Sequence, residues 1–260
     1  MKSYLDYEIK KVNKEEVLST SDSIIKEYPY TIFINDNEFV TLLCTPESLD
    51  YLAVGFLFSE GMINNKEDIL GINIDYDRGI AYLKIEKKNN ITKKLQGKRT
   101  ITTGCGKGTI FYNVLDSFKT KKINNNFTLK RENVIKLIEE FNKKSKLFLN
   151  TGGVHSCALS SKNEIIYFKE DIGRHNALDK VLGKSIMEDI NLDEKLILTS
   201  GRVSSEIIIK VAKMNIPILI SRSAPTSLAV DIANELGILL IGFARGKRLN
   251  IYSKYKNLII

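Results

Sequence analysis

The stretch Glu164-Ile-Ile-Tyr-Phe-Lys-Glu-Asp-Ile-Gly-Arg-His-Asn176 sets a short apolar run against a polar, glycine-containing turn, and the same unit recurs downstream. Residues 165–168 read as a strand and 177–187 as a helix. The alternation continues with apolar runs at 196–199, 216–220, 238–243 and 249–252, separated by helical patterns at 206–214 and 228–236. Such an alternation predicts an α/β layered unit, and because strand–helix–strand crossovers are right-handed, it predicts a mainly parallel sheet. The C-terminal ends of the linked strands then share one edge.

The loops that leave those strand ends have a common composition. Glu170-Asp171-Ile172-Gly173-Arg174-His175-Asn176 comes after the first strand, Ser200-Gly201-Arg202 after the second, and Ser221-Arg222-Ser223-Ala224-Pro225 after the third. Phe243-Ala244-Arg245-Gly246-Lys247-Arg248 closes the series. Every one of these loops brings an arginine to the edge where open α/β sheets bind ligands. Guanidinium groups pair bidentately with phosphates, and glycine and serine let backbone amides approach an anion. Any single arginine reads first as a surface charge or a structural ion pair, but the four together predict a site for a ligand carrying several phosphates.

Upstream, residues 30–34 and 38–43 read as strands around the turn Asn35-Asp36-Asn37. A helix is expected from Glu47, with Leu49, Leu52, Ala53, Phe56 and Leu57 at helical spacing before Gly61, and strands at 72–75 and 80–86. This is a small α+β unit. The polar run from Lys119 to Asn126 looks like a connector, and Val134, Leu137, Ile138 and Phe141 mark a helix after it. The expected division is an N-terminal domain of residues 1–126 and a C-terminal domain of residues 127–260.

The chain has 260 residues, 43% of them hydrophobic, enough for one large core or two modest ones without a structural metal or disulfide. A formal charge of +8 suits an acidic partner, although the same count is met by solvated surface lysines. Tryptophan is absent and no basic segment is interleaved with aromatics, so nucleic acid is not an expected partner. No stretch approaches the roughly 20 apolar residues of a membrane span and the N-terminus lacks a signal-like run, so the expected location is cytoplasmic.

The three cysteines, Cys44, Cys105 and Cys157, are too few and too scattered for a disulfide framework. Cys105 lies in Thr102-Thr103-Gly104-Cys105-Gly106-Lys107-Gly108-Thr109, where glycines leave the backbone uncluttered and Lys107 favours the thiolate. By itself this loop is equally an ordinary turn; it does not match the spacing of a Walker phosphate loop. Cys157 and Cys44 sit among small or apolar residues and are expected to be buried. Of the two histidines, His175 is a candidate site residue because of its arginine-bearing loop, and His155 is a weaker one beside Gly152-Gly153.

Taken together, Thr-Thr-Gly-Cys-Gly-Lys-Gly, Thr-Gly-Gly-Val-His, Glu-Asp-Ile-Gly-Arg-His-Asn-Ala-Leu-Asp-Lys, Ser-Gly-Arg, Ser-Arg-Ser-Ala-Pro-Thr and Gly-Phe-Ala-Arg-Gly closely resemble the FdhD family of formate dehydrogenase accessory sulfurtransferases. The resemblance runs from about Thr102 to Tyr252. It implies a carrier that takes persulfide sulfur from a cysteine desulfurase and passes it to the molybdenum or tungsten bis-molybdopterin guanine dinucleotide (bis-MGD) cofactor needed by the formate dehydrogenase catalytic subunit. By position, it implies that Cys105 bears the persulfide and that Phe243, Ala244, Arg245, Gly246, Lys247 and Arg248 belong to a cofactor-binding segment. Arg174, His175, Arg202, Ser221 and Arg222 are the further binding candidates, GDP is an expected mimic of the cofactor, and no metal ligand set is expected. The resemblance also implies a cytidine deaminase-like C-terminal domain and a homodimer.

One departure stands out: a second cysteine common in the family is replaced here by Gly108, which excludes a disulfide or thiol relay within the loop. A single thiol still suffices as a sulfur carrier. The alternative is a chaperone that delivers the cofactor without obligatory sulfur transfer. A zinc deaminase is ruled out, because the chain lacks both a His or Cys ligand next to a catalytic Glu and a Pro-Cys-x-x-Cys pair.

Overall fold

The computed structural model describes residues 1–14, 16–86, 99–101, 123, 127–253 and 258–259. The Cys105 loop, and the Lys119–Asn126 connector apart from Ile123, lie outside the described residues.

The chain opens with an antiparallel hairpin, β1 (Tyr4–Asn13) and β2 (Glu16–Ile25), most of whose side chains face solvent. Next come β3 (Tyr28–Ile34), β4 (Asn37–Cys44), helix α1 (Leu49–Ser59), β5 (Ile69–Asp75), β6 (Ile80–Ile85) and β7 (Arg99–Ile101). They form a five-stranded sheet in the order β5-β6-β3-β4-β7. Asn35 and Asp36 make the β3–β4 turn with φ of 47° and 66°, the left-handed region these two residues tolerate. The alternating buried pattern of Tyr28, Tyr30, Ile32 and Ile34 turns one face of the sheet to the core.

Downstream, β8 (Leu129–Lys130) leads into α2 (Arg131–Lys144), α3 (Lys146–Thr151), β9 (His155–Ser160) and β10 (Ile165–Asp171). Then α4 (Arg174–Met187), β11 (Leu196–Thr199), α5 (Ser205–Lys213), β12 (Ile218–Ser221), α6 (Ser227–Leu236), β13 (Leu239–Arg245) and β14 (Arg248–Ile251) alternate as the sequence pattern predicts. A last strand, β15 (Leu258–Ile259), pairs with β8. The larger sheet has the order β10-β9-β11-β12-β13-β14.

This sheet is mixed, not mainly parallel. The β11–β12 and β12–β13 pairs are parallel, whereas β10–β9, β9–β11 and β13–β14 are antiparallel. The difference has two sources. Strand β9 inserts between β10 and β11, and the short Gly246–Lys247 turn folds β14 straight back onto β13. Neither change disturbs the edge: β10, β11, β12 and β13 all run in one direction, so their C-terminal ends lie side by side.

Helices cover both faces. Leu196, Leu198, Ile218, Ile220, Leu239 and Ile241 face Val134, Leu137, Ile138 and Phe141 of α2, each fully buried side chain contributing roughly 1.5–3 kcal/mol. Ile197, Leu219 and Leu240 point the other way, into a cluster with α4, α5 and α6 that continues without a break into α1 and the five-stranded sheet. The two sheets are therefore joined through one core.

The seam between α1 and α4 is a glycine crossing. A Cβ on Gly55 would fall 1.8 Å from the Asp179 carbonyl oxygen, and one on Gly183 would fall 1.9 Å from that of Tyr51. Only bare backbone fits at either position. Two buried ion pairs from successive residues of α4 flank the crossing. Lys180 meets Asp171 at 2.6 Å and donates to the Thr45 hydroxyl, while Asp179 accepts from Lys210 and from the Ser59 hydroxyl. Among the described residues no helix is long and apolar enough to cross a membrane.

Candidate functional site

The shared edge is built around Asp171, the last residue of β10, which is fully buried. Its carboxylate accepts from the backbone N–H of Gly173 at 2.9 Å, from Asn176 Nδ2 at 2.9 Å and from the Thr45 N–H at 3.0 Å, besides its pairing with Lys180. These contacts fix the turn that starts α4. Arg174 and His175 consequently sit in the first turn of that helix, where the sequence pattern placed a loop. The helix begins earlier because Gly173 is its extended N-cap and Asn176 is tied down from below.

Gly201, in the turn after β11, packs between two site residues. A Cβ there would come within 2.8 Å of Arg174 Cβ and 3.5 Å of His155 Nδ1. This close approach brings Arg174 and His155 together across the end of the sheet. The hydroxyl of Ser200 lies 3.5 Å from His155 Nδ1 and accepts from the Ser156 N–H at 2.9 Å.

A cavity of about 410 Å³ opens beside them, lined by Phe148, Gly152, Gly153, Val154, His155, Ser156, Ser200, Arg222 and Arg245. Three predicted residues, His155, Arg222 and Arg245, line it directly. Arg245 Nε donates to the Arg222 carbonyl at 2.9 Å, tying the end of β13 to the end of β12. A bulge in β13 between Gly242 and Arg245, with Phe243 at φ 50°, re-aims this segment next to the site.

The site is strongly positive. Burial, and then the neighbouring Arg202, lowers the pKa of Arg174; burial, and then Arg245, lowers that of Arg222. The arginines thus form two like-charged pairs. Among the described residues none of the four is paired with a carboxylate, and the buried Nε of Arg174 has no hydrogen-bond partner. Glu206 offsets part of the charge of Arg174, but like-charged groups crowded at one edge still favour an anion.

The histidines are held neutral. Burial, followed by Arg174, pushes His155 below the ordinary histidine range. His175 is pushed down to about 3 by burial, then by Lys210 and Arg174. His175 Nε2 meets Glu206 at 3.3 Å, but burial also raises the Glu206 carboxyl, so the contact is one made by a neutral imidazole.

The remaining candidates take varied positions. Arg202 is exposed beside Arg174. Ser221 is buried, donates to the Gly201 carbonyl at 2.8 Å and accepts from the Ser223 N–H, so it shapes the turns instead of facing the cavity. Ala244 packs into the core against α2. Phe243 donates its N–H to the Ser223 carbonyl. Gly246 makes a left-handed turn, the Lys247 carbonyl accepts from Arg131, and Arg248 starts β14. Cys105 falls outside the described residues. Among those residues no group of three His, Cys, Asp or Glu side chains is placed to hold a metal ion.

Among the features of the site that escaped sequence reading are helix α3, strand β9 and the carboxylate of Glu170. Glu170 accepts the N–H groups of Leu147 and Phe148 at 3.0 Å each and so holds α3 at the cavity rim. A six-residue helix is too short for a periodic signal, and β9, His-Ser-Cys-Ala-Leu-Ser, lacks both alternation and β-branched residues.

Fold and site together define an α/β protein with a cavity at its strand ends lined by Arg222 and Arg245. The chain belongs to the FdhD/NarQ family, whose model matches residues 25–259. It is 42% identical over 252 residues to the sulfur carrier protein FdhD of Geobacillus kaustophilus, covering 97% of this chain and 96% of that one. It is 45% identical over 238 residues to the protein of the same name from Listeria innocua, covering 91% of each. Identity to the Bacillus subtilis protein of that name is 39% over 238 residues, covering 92% of this chain and 91% of that one. A crystal structure of a protein from Desulfotalea psychrophila, described as a formate dehydrogenase accessory protein, superposes with a TM-score of 0.80 at 23% identity, covering 99% of this chain and 100% of that one. That likeness supports the fold.

Proposed function

We propose that this chain is a sulfur carrier for formate dehydrogenase maturation: Cys105 accepts persulfide sulfur from a cysteine desulfurase, and the arginine-lined cavity binds the bis-MGD cofactor to which the sulfur is passed. The observation that carries the reading is that four arginines with no carboxylate ion pair among the described residues, Arg174, Arg202, Arg222 and Arg245, follow four neighbouring strand ends, and two of them, Arg222 and Arg245, line one cavity. Diphosphates of two guanine dinucleotide arms match that charge, and GDP is the simplest probe of it. Arg174 and Arg202 form one candidate clamp; Arg222, Arg245, Ser200 and His155 form another.

The cysteines support the same reading. Cys44 and Cys157 are fully buried, and burial raises both thiols far above their ordinary range, so neither is available as a thiolate. Cys105 is the remaining cysteine. In the first transfer its thiolate attacks the outer sulfur of the donor persulfide: one S–S bond forms, one breaks, and the donor cysteine leaves as a thiolate. Release of the outer sulfur at the sulfide level needs two electrons: an external thiolate attacks the inner sulfur of the Cys105 persulfide, the S–S bond breaks to free sulfide for the cofactor, and a second thiol resolves the mixed disulfide left on Cys105.

On the family resemblance, the proposal extends to a cytidine deaminase-like layering of the larger sheet, domains at 1–126 and 127–260, a cytoplasmic location and a homodimer. A second reading, delivery of the cofactor without obligatory sulfur transfer, is favoured by Gly108 standing where a second cysteine is common. Cys105→Ala separates the two. GDP binding persists in both readings, but activation of formate dehydrogenase is lost only if Cys105 carries sulfur; normal activation by the variant refutes the carrier mechanism.

A further inference from the structure

Phe148 lines the cavity beside Gly152 and Gly153, and 40% of its surface is open to solvent. The backbone beneath it is fixed. Glu170 takes the N–H groups of Leu147 and Phe148, the Thr151 hydroxyl donates to the Leu147 carbonyl at 2.8 Å, and the Gly152 N–H donates to the Phe148 carbonyl at 2.7 Å. Gly152 turns with φ 65°, and a Cβ there would meet nothing within 4 Å. The backbone that carries the ring is therefore fixed, and the ring stands beside the open backbone of Gly152, while Gly153 packs against Ile25. The arginines nearby suit phosphates, and the ring next to the open backbone of Gly152 offers a planar heterocycle a stacking surface, since every nucleobase has a π face that stacks on an aromatic side chain.

We propose that Phe148 is the stacking wall for the base of the bound nucleotide and that Glu170 is the positioning residue that holds it. This deepens the nucleotide reading above and rests on it. The site then divides its work, with arginines holding the diphosphate and Phe148 holding the base.

The test is calorimetric titration of the wild-type protein, Phe148→Ala, Phe148→Leu, Phe148→Tyr, Glu170→Ala and the double variant F148A/E170A with GDP and with inorganic pyrophosphate. F148A and F148L are expected to lose GDP affinity roughly tenfold or more while pyrophosphate affinity holds, and F148Y is expected to retain both, because stacking needs only the ring. Glu170→Ala is expected to weaken GDP alone and to add nothing in the F148A background, since it acts through Phe148. F148A binding GDP as tightly as wild type overturns this inference alone. Wild-type protein that binds neither probe overturns the nucleotide reading and this inference with it.

Discussion

Arg245 Nε donates to the carbonyl oxygen of Arg222 at 2.9 Å, so two loops separated by helix α6 and strand β13 are locked into one rim of the cavity. The bond uses one guanidinium donor and leaves the others free, which is the arrangement an anion site needs.

Arg222→Ala, Arg174→Ala and Arg202→Ala are each expected to weaken GDP binding by roughly 1–3 kcal/mol, the range for a lost charge-assisted hydrogen bond. Titration calorimetry measures it. Unchanged affinity in all three variants places the ligand elsewhere.

Gly201→Ala puts a methyl group within 2.8 Å of Arg174 Cβ. It is expected to displace Arg174 and to lower GDP affinity to about the same extent as R174A, on the roughly 1–3 kcal/mol scale of a lost charged contact. Combining the two substitutions should cost little more than either alone, which a double-mutant cycle reads directly.

The glycine crossing and the buried ion pair set the stability of the joint between the two sheets. Gly183→Ala is expected to cost about 3 kcal/mol, the upper end of over-packing penalties, because backbone on both sides must move. Lys180→Met leaves Asp171 buried and unpaired and is expected to cost roughly 3–5 kcal/mol. Denaturant titration of each variant checks both, with unchanged midpoints contradicting them.

His175 gives the protein an acid-sensitive element. Its pKa falls from the ordinary 6.5 to about 3 on folding, so between those values the unfolded chain binds the proton and the folded one does not. Stability is therefore expected to fall as pH drops from 6.5 toward 3. The raised carboxyl of Glu206, which touches His175, works in the opposite direction just above its ordinary 4.5. His175→Asn is expected to flatten the slope of unfolding free energy against pH above pH 5; an unaltered slope assigns it to other groups.

The larger sheet was legible in the sequence because its helix-linked strands are apolar runs that alternate with helical patterns. Direction came from crossover handedness, which is why the arginine-bearing edge was foreseen although the sheet is mixed. The elements that sequence reading missed lack such a signal. The β1–β2 hairpin carries polar side chains on both faces, so no apolar–polar alternation shows. Strand β9 is made of small residues, and Glu170 reveals its role only once α3 is folded against it. At the site, Arg222 and Arg245 were foreseen from residue type, whereas Phe148 is one apolar residue among several until the cavity is seen.

The central claim is that Cys105 carries the sulfur. Mass spectrometry of the protein after incubation with a cysteine desulfurase and cysteine tests it most directly. The expected result is one added sulfur atom, released by a thiol reductant, mapped to the peptide containing Cys105 and absent from Cys105→Ala. Added sulfur that persists in that variant, or a wild-type protein that gains none, contradicts the carrier role of Cys105.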